Sequence, residues 1–356
     1  MIDQILSSEN PYKLSRDVKE FMLLKELREL TDFHYRQCLP YQRILDKTSA
    51  KIEVNELTEL PFLPVQLFKM LDLFSMPEEE RFKILNSSGT TGQQVSRIHI
   101  DKLTSEMQTK ALNLIVRSYL GKKRLPMIIA DTNLLKNRSQ FSARLAGTIG
   151  FSQFGHHHLY LFDEDMKLKE AELLEFLQKY KGEKIFIFGF TYIIWEFLLN
   201  NFKRSNRILD LEGSILIHGG GWKKLQNQAV SDGMFRDLLK EQFNISQVYD
   251  YYGMVEQVGS IYMQCEHGHL HTPDFADILI RDEETLKPVP YGTEGLIQVL
   301  SILPRSYPGH SLLTEDRGTI LGEDDCECGR KGKYFIVHGR LPKAEARGCS
   351  DTFTLT

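Results

Sequence analysis

Cysteine is scarce. Cys38, Cys265, Cys326, Cys328 and Cys349 are the only five in 356 residues, too few and too clustered for a disulfide framework. In a reducing compartment close pairs point instead to metal or chemistry. Long hydrophobic runs are also missing. The most apolar stretch, Ile185 to Phe202, is interrupted by Thr191, Glu196, Asn200 and Asn201, so it divides into a strand and a following helix rather than a membrane span. Met1-Ile2-Asp3-Gln4 has no basic region leading into an apolar stretch, so no secretory signal is expected and the protein reads as soluble and cytoplasmic. There is no large excess of either charge: the formal net charge is −4, which argues against a nucleic-acid partner. Internal repeats and low-complexity tracts are absent too.

What is present is an ordinary globular composition, 42% hydrophobic and 26% charged, in a chain long enough for a large core. Val18, Phe21, Met22, Leu24, Leu27 and Leu30 recur at a helical period behind Ser15, a candidate cap. A helical N-terminal layer is expected over 1–80. From residue 81 short branched and aromatic runs appear at Phe82–Leu85, Pro126–Ala130, Ile185–Phe188, Ser214–Ile217 and Ser246–Tyr249. Amphipathic segments such as Lys102–Leu120 and Glu164–Tyr180 separate them. The alternation predicts an α/β core over 81–257, with a large mainly parallel sheet and flanking helices. Shorter β-like pieces, Ile278–Ile280, Leu296–Leu300 and Tyr334–Val337, predict a smaller β-rich subdomain over 258–338, and 339–356 a hinge and tail.

Ligands of such sheets bind beyond the carboxyl ends of the strands. Three sequences there are unusual. Asn86-Ser87-Ser88-Gly89-Thr90-Thr91-Gly92 offers hydroxyls, backbone N–H groups and little bulk, as a phosphate cradle would, although an ordinary polar turn has the same composition. It is no P-loop, because no lysine follows its second glycine. The others are His218-Gly219-Gly220-Gly221-Trp222 and Tyr251-Tyr252-Gly253-Met254-Val255-Glu256. Separately, Cys326-Glu327-Cys328 and the cluster Cys265-Glu266-His267-Gly268-His269-Leu270-His271 together contain enough thiols and imidazoles for a four-ligand structural zinc site. Cys349 lies in the tail beside Arg347, which favours its thiolate. His156-His157-His158 reads as loop or strand, with side chains that diverge.

In their order, the Ser87–Gly92 loop, Gly219–Gly221, Tyr252–Glu256, Thr314-Glu315-Asp316-Arg317-Gly318 and Gly339-Arg340 resemble the adenylate-forming superfamily of acyl- and aryl-CoA ligases. The ending from Arg340 to Thr352 resembles the acyl-protein synthetases of bacterial luminescence fatty-acid reductases, with the phenylacetate-CoA ligase-like branch as the neighbouring match. The resemblance implies that Ser87, Ser88, Gly89, Thr90, Thr91 and Gly92 hold the ATP phosphates. Glu256 would bind Mg²⁺, Asp316 the ribose hydroxyls, and Arg340 the ribose or phosphate. Gly219, Gly220, Gly221, Tyr251, Tyr252 and Gly253 would line the adenine and acyl pockets. It favours Cys265, His271, Cys326 and Cys328 as zinc ligands.

The implied activity is ATP-dependent formation of an acyl-adenylate from a carboxylic, fatty acid. The acyl group would then pass to a thiol, Cys349, and be held for a partner such as a reductase. The alternatives are a ligase using coenzyme A or a carrier-protein thiol, and an inactive zinc-stapled nucleotide-binding scaffold. Two departures stand out: Gln93-Gln94-Val95 replaces the usual Pro-Lys after the loop, and the chain stops at Thr356, where the family continues into a C-terminal domain that carries a lysine. That domain is expected to be truncated, and Lys343 is a poor substitute for its lysine.

Overall fold

The computed structural model describes residues 2–87, 95–134, 143–204 and 209–341. They form two compact units. The first gathers the described residues of 1–118, 253–263 and 269–345, and the second those of 119–252 and 264–268. In chain order the strands are β1 (Leu63–Pro64), β2 (Lys83–Asn86) and β3 (Arg97–Ile100), then β4 (Leu125–Ala130), β5 (Gly155–Tyr160), β6 (Phe186–Phe190), β7 (Ile215–Gly219) and β8 (Gln247–Tyr252). They are followed by β9 (Tyr262–Gln264), β10 (Leu270–His271), β11 (Ala276–Arg281), β12 (Gly295–Ser301), β13 (Ser311–Glu323) and β14 (Lys333–Arg340). Among the described residues no helix is long and apolar enough to cross a membrane.

The second unit contains the parallel strands. β5, β4, β6, β7 and β8 run parallel in that order. β6 and β7 are buried at every position, as strands covered on both faces must be, and their sequences Phe-Ile-Phe-Gly-Phe and Ile-Leu-Ile-His-Gly accordingly lack polar alternation. The helix expected over Glu164–Tyr180 begins later, at Glu170. Asp163 accepts the amides of Asp165 and Lys167 through its side chain and Met166 turns to φ 60°, so this stretch is a tight turn.

The first unit is mainly antiparallel where it is built of strands. β11, β12, β13, β14 and β10 pair in sequence, and β1 adds parallel to β13 at Leu312 and Leu313. Phe82–Leu85 was expected among the parallel strands. Instead β2 pairs antiparallel with β3 in a separate two-stranded hairpin, Asn86 opposite Arg97. A branched apolar run specifies a strand but not its partner, and Arg97–Ile100 carried no comparable signal.

Helix Arg16–Gln37 turns Lys19, Met22, Leu23, Glu26, Leu27, Leu30, Thr31 and His34 inward, a helical stripe of which half is polar. Ser15 takes an extended cap conformation but its side chain makes no capping bond; the Arg16 amide donates to the Asp324 carboxylate instead. The buried polar groups each find a partner: Glu26 meets Arg305 at 2.6 Å, and His34 contacts Ser75 Oγ at 2.7 Å and the Pro304 carbonyl at 3.1 Å. His310 stacks on His34, ring centroids 5.1 Å apart, and reaches Thr31 Oγ1 at 3.0 Å.

Burial lowers the His34 imidazole to about 3 and carries His310 well below its ordinary value. The unfolded chain therefore binds protons that the folded one refuses, and the stability held above pH 6.5 is lost as pH falls towards 3. Between pH 7 and pH 5 we predict a loss of about 2 kcal/mol from His34 alone, read as a fall in the urea midpoint; a midpoint unchanged over that range would contradict it.

Candidate active site

The first unit assembles its site on the β13–β14 ladder. In that register Asp316 stands opposite Arg340, and Arg340 Nε lies 3.5 Å from Asp316 Oδ1. The two residues, 24 positions apart in sequence, are thus cross-strand neighbours near the end of the sheet. Thr314 Oγ1 fixes the strand beneath them, donating to the Ile297 carbonyl at 2.8 Å and accepting the Asp316 amide at 3.1 Å. Asp316 keeps 18% and Arg340 38% of the side-chain surface open. So placed, the pair contributes little to stability.

Glu256 sits in the short helical turn Val255–Gln257 that follows β8, with 7% of its surface exposed. Burial raises its carboxyl above the ordinary range, opposed by Ser96 and by the positive charges of Lys69 and Arg340. The turn is locked from behind. Tyr307 Oη donates to the Glu256 carbonyl at 2.9 Å, and Gln257 Nε2 donates to the carbonyls of Gly309 at 2.8 Å and Val299 at 3.2 Å. Gly309 admits no Cβ, which would fall 2.2 Å from the Tyr307 ring.

Ser87 and Ser96 close the base of the hydroxyl-rich loop, the Ser87 amide donating to the Ser96 carbonyl at 3.0 Å and the Ser96 amide to Ser87 Oγ at 2.8 Å. Ser88, Gly89, Thr90, Thr91 and Gly92 lie outside the described residues, as do Lys343 and Cys349. Ser96 is thereby common to the loop's base and to the surroundings of Glu256. Lys69, on helix Leu67–Met70, carried no sequence signal; it is exposed, yet close enough to act on Glu256.

In the second unit the expected residues cluster at the carboxyl ends of β7 and β8. Gly219 pairs with Tyr251 across the ladder. A Cβ on Gly219 would lie 2.6 Å from the Tyr251 ring, and one on Gly220 2.8 Å from Phe190. Gly220 and Gly221 both adopt positive φ, 83° and 63°, so the triple glycine turns sharply while two rings press on its surface. Tyr251 leans on Phe151, centroids 5.1 Å apart, and like Tyr252 stays partly exposed.

Two further residues here were given no role by the sequence reading, although His218 stands in the motif His218–Trp222. His218, buried and lowered to about 3, is neutral; its Nδ1 contacts Thr191 Oγ1 at 3.0 Å and lies 3.6 Å from Asp250. Asp250 sits in a recess deep enough to raise its carboxyl above the ordinary range while 41% of the side-chain surface remains open. Their signal was only adjacency to the glycine turn and to Tyr251.

His271, Cys326 and Cys328 come together in the first unit, one ligand atom from each and all within 4.8 Å of one another, while Cys265 belongs to the second unit. Cys265, His271 and Cys326 are buried and Cys328 is half-buried. His271 Nε2 lies 3.3 Å from Cys328 Sγ, and His269 Nδ1 lies 3.5 Å from Cys326 Sγ. Ligand atoms of tetrahedral zinc, at about 2.3 Å for sulfur and about 2.0 Å for nitrogen, stand about 3.5 Å apart, so this donor set fits a borderline-soft cation. The histidine triple differs from expectation: His157 takes φ 49°, and this brings its Nδ1 within 2.7 Å of His156 Nδ1 rather than apart.

The family model described as acyl-protein synthetase, LuxE, matches residues 1–355. Relatives include the long-chain-fatty-acid–luciferin-component ligase of Vibrio harveyi, 25% identical over 360 residues, spanning 98% of this chain and 92% of the relative. The protein of that name from Aliivibrio fischeri is 24% identical over 333 residues, spanning 90% and 84%. Among solved structures, an open conformation of 2-hydroxyisobutyryl-CoA ligase in complex with 2-HIB-AMP and CoA superposes with a TM-score of 0.70 at 14% identity, over 95% of this chain and 74% of that one. The same ligase in its thioesterification state gives 0.71 at 15% identity, over 94% and 71%. The likeness is one of fold.

Because the Tyr251 ring is held against Gly219, Gly219→Ala is predicted to destabilise the protein by about 1–3 kcal/mol through overpacking. A urea midpoint equal to that of the unmodified chain would show that the ring moves aside freely.

Proposed function

The chain belongs to the LuxE acyl-protein synthetase family, and we propose that it joins a fatty acid to AMP and then passes the acyl group to a protein thiol, Cys349 of its own tail. The observation that carries this reading is the meeting of Asp316, Arg340 and Glu256 in one unit, with Arg340 paired to Asp316 and acting on Glu256. ATP is the substrate that uses all three.

In this reading Asp316, acceptor-only when ionised, receives the ribose hydroxyls, and Arg340 leaves it to follow the ribose or the phosphate. The fatty-acid carboxylate attacks the α-phosphorus, a new P–O bond forms, and the bond to the β-phosphate breaks with release of pyrophosphate. Attacker and target are both anionic, so preorganised donors and cations must offset the repulsion. Lys69, Arg340 and the N–H and hydroxyl donors of the loop based on Ser87 and Ser96 supply them. Glu256 is the carboxylate suited to hold Mg²⁺, which would neutralise charge on the phosphates. Its locked turn keeps that carboxylate in place without help from ligand. Gly219–Gly221 with Tyr251 and Tyr252 present flat and apolar surface to the base and the chain. In the second half-reaction the Cys349 thiolate attacks the acyl carbonyl, the thioester forms and AMP leaves. The thioester is a form that a reductase partner can accept.

Incubation with ATP, Mg²⁺ and labelled tetradecanoate should leave a hydroxylamine-labile label on the protein and none on Cys349→Ser. A label that persists on the variant would remove Cys349 as acceptor. For the cysteine–histidine cluster we propose structural zinc, which staples β10 to the turn before β14. Elemental analysis should find about one zinc per chain, and Cys326→Ser should lose both the metal and several degrees of melting temperature; metal-free protein with native stability would contradict the assignment.

A further inference from the structure

Away from these residues the first unit contains a cavity of about 270 Å³. Leu57, Leu279, Ile280, Val289 and Ile320 form apolar walls, and Lys19, Lys333 and Asp277 line it as well. All three charged groups are at least nine-tenths buried, a placement that is tolerated only when each is compensated.

The compensation is incomplete. Lys333 Nζ donates to Asp277 Oδ2 at 2.8 Å and to the Ile278 carbonyl at 3.0 Å. Lys19 Nζ donates to Thr272 Oγ1 at 2.7 Å and to the Thr272 carbonyl at 3.1 Å, but stands 4.0 Å from Asp277 Oδ1. An ammonium has three N–H donors, so each lysine retains one. Asp277 Oδ1 is buried and has no hydrogen-bond partner. Other acidic groups act on Lys19 but are committed elsewhere: Asp274 accepts the amides of Lys13 and Leu14, and Glu323 accepts the Tyr291 hydroxyl and faces Arg16 at 3.5 Å. Glu20 lies 3.9 Å from Arg16. Burial accordingly drags the Lys19 amine below the usual lysine range in spite of them.

Two spare cationic donors, one spare carboxylate acceptor and an apolar wall describe a complement. We propose that this cavity binds a small hydroxylated monocarboxylate, its carboxylate on Lys19 and Lys333, its hydroxyl donating to Asp277 Oδ1 and its alkyl part against Leu279, Val289 and Ile320. At roughly 30 Å³ per water-sized unit the cavity holds about nine heavy atoms, the size of 3-hydroxyhexanoate. The site takes no part in acyl transfer and stands whether or not the adenylation reading does.

The test is a titration of the full chain, without ATP, followed by thermal shift and calorimetry. 3-Hydroxyhexanoate should raise the melting temperature saturably. Hexanoate, lacking the donor for Asp277, should bind about tenfold more weakly, and hexylamine should not bind. Val289→Trp, at the half-exposed mouth, should fill the cavity and abolish the effect; if that variant is not native by circular dichroism, Ile320→Trp and Lys19→Met take its place. No stabilisation of the unmodified chain, equal stabilisation by hexylamine, or undiminished binding in a native-like filled variant would each overturn the proposal. Undiminished binding would mean that the acid occupies another site.

Discussion

The register of β13 against β14 is the constraint on which the candidate site depends. It sets Asp316 opposite Arg340 and brings the arginine near enough to act on the Glu256 carboxyl. Because side chains alternate along a strand, a slip of one residue would turn one partner to the other face. The register is itself held by irregularities, shifts at Arg317/Gly318 and at Ile320/Gly322. At the first of these Gly318 leaves no room for a side chain, since a Cβ would meet the Ile336 carbonyl at 2.6 Å. A loose ion pair is thereby positioned by backbone geometry rather than by its own attraction.

A second layer of support comes from buried polar groups under helix Arg16–Gln37. The segment 304–310 is clasped by His34 at the Pro304 carbonyl, by Glu26 at Arg305 and by Thr31 at His310. Tyr307, in the middle of that segment, holds the Glu256 carbonyl. Hydrogen-bonded polar cores specify one arrangement at the risk of a large penalty when a partner is lost. The N-terminal helix, which showed no chemistry in the sequence, thus reaches the carboxylate through a chain of contacts.

How much of this was legible in the sequence varies with the kind of constraint. The helix Lys102–Leu120 and the strands around Met127, Ile187, Leu216 and Val248 follow from periodicity and were readable to within a few residues. The motifs Thr314–Gly318 and Gly339-Arg340 were readable as motifs, but their opposition was not, because strand register is non-local. Periodicity gave Phe82–Leu85 a strand but the wrong partner. The four zinc-type ligands were distinguished from His267 and His269 by resemblance, and the first unit brings three of them, His271, Cys326 and Cys328, together. Lys69 and Asp250 were invisible, one on a single helical turn and the other an unremarkable acid between aromatic residues. The convergence of His156 and His157 rests on one left-handed residue that no local signal announced.

The central claim is that Asp316, Arg340 and Glu256 form the phosphate and ribose side of an adenylation site. Fatty-acid-dependent exchange of labelled pyrophosphate into ATP reads that half-reaction alone, independently of any thiol. The account predicts robust exchange by the unmodified chain with tetradecanoate and a loss of about a hundredfold or more in Glu256→Gln, the magnitude expected when an electrostatic stabiliser of developing charge is removed. Exchange that is absent from the folded, unmodified chain, or undiminished in the variant, would contradict it.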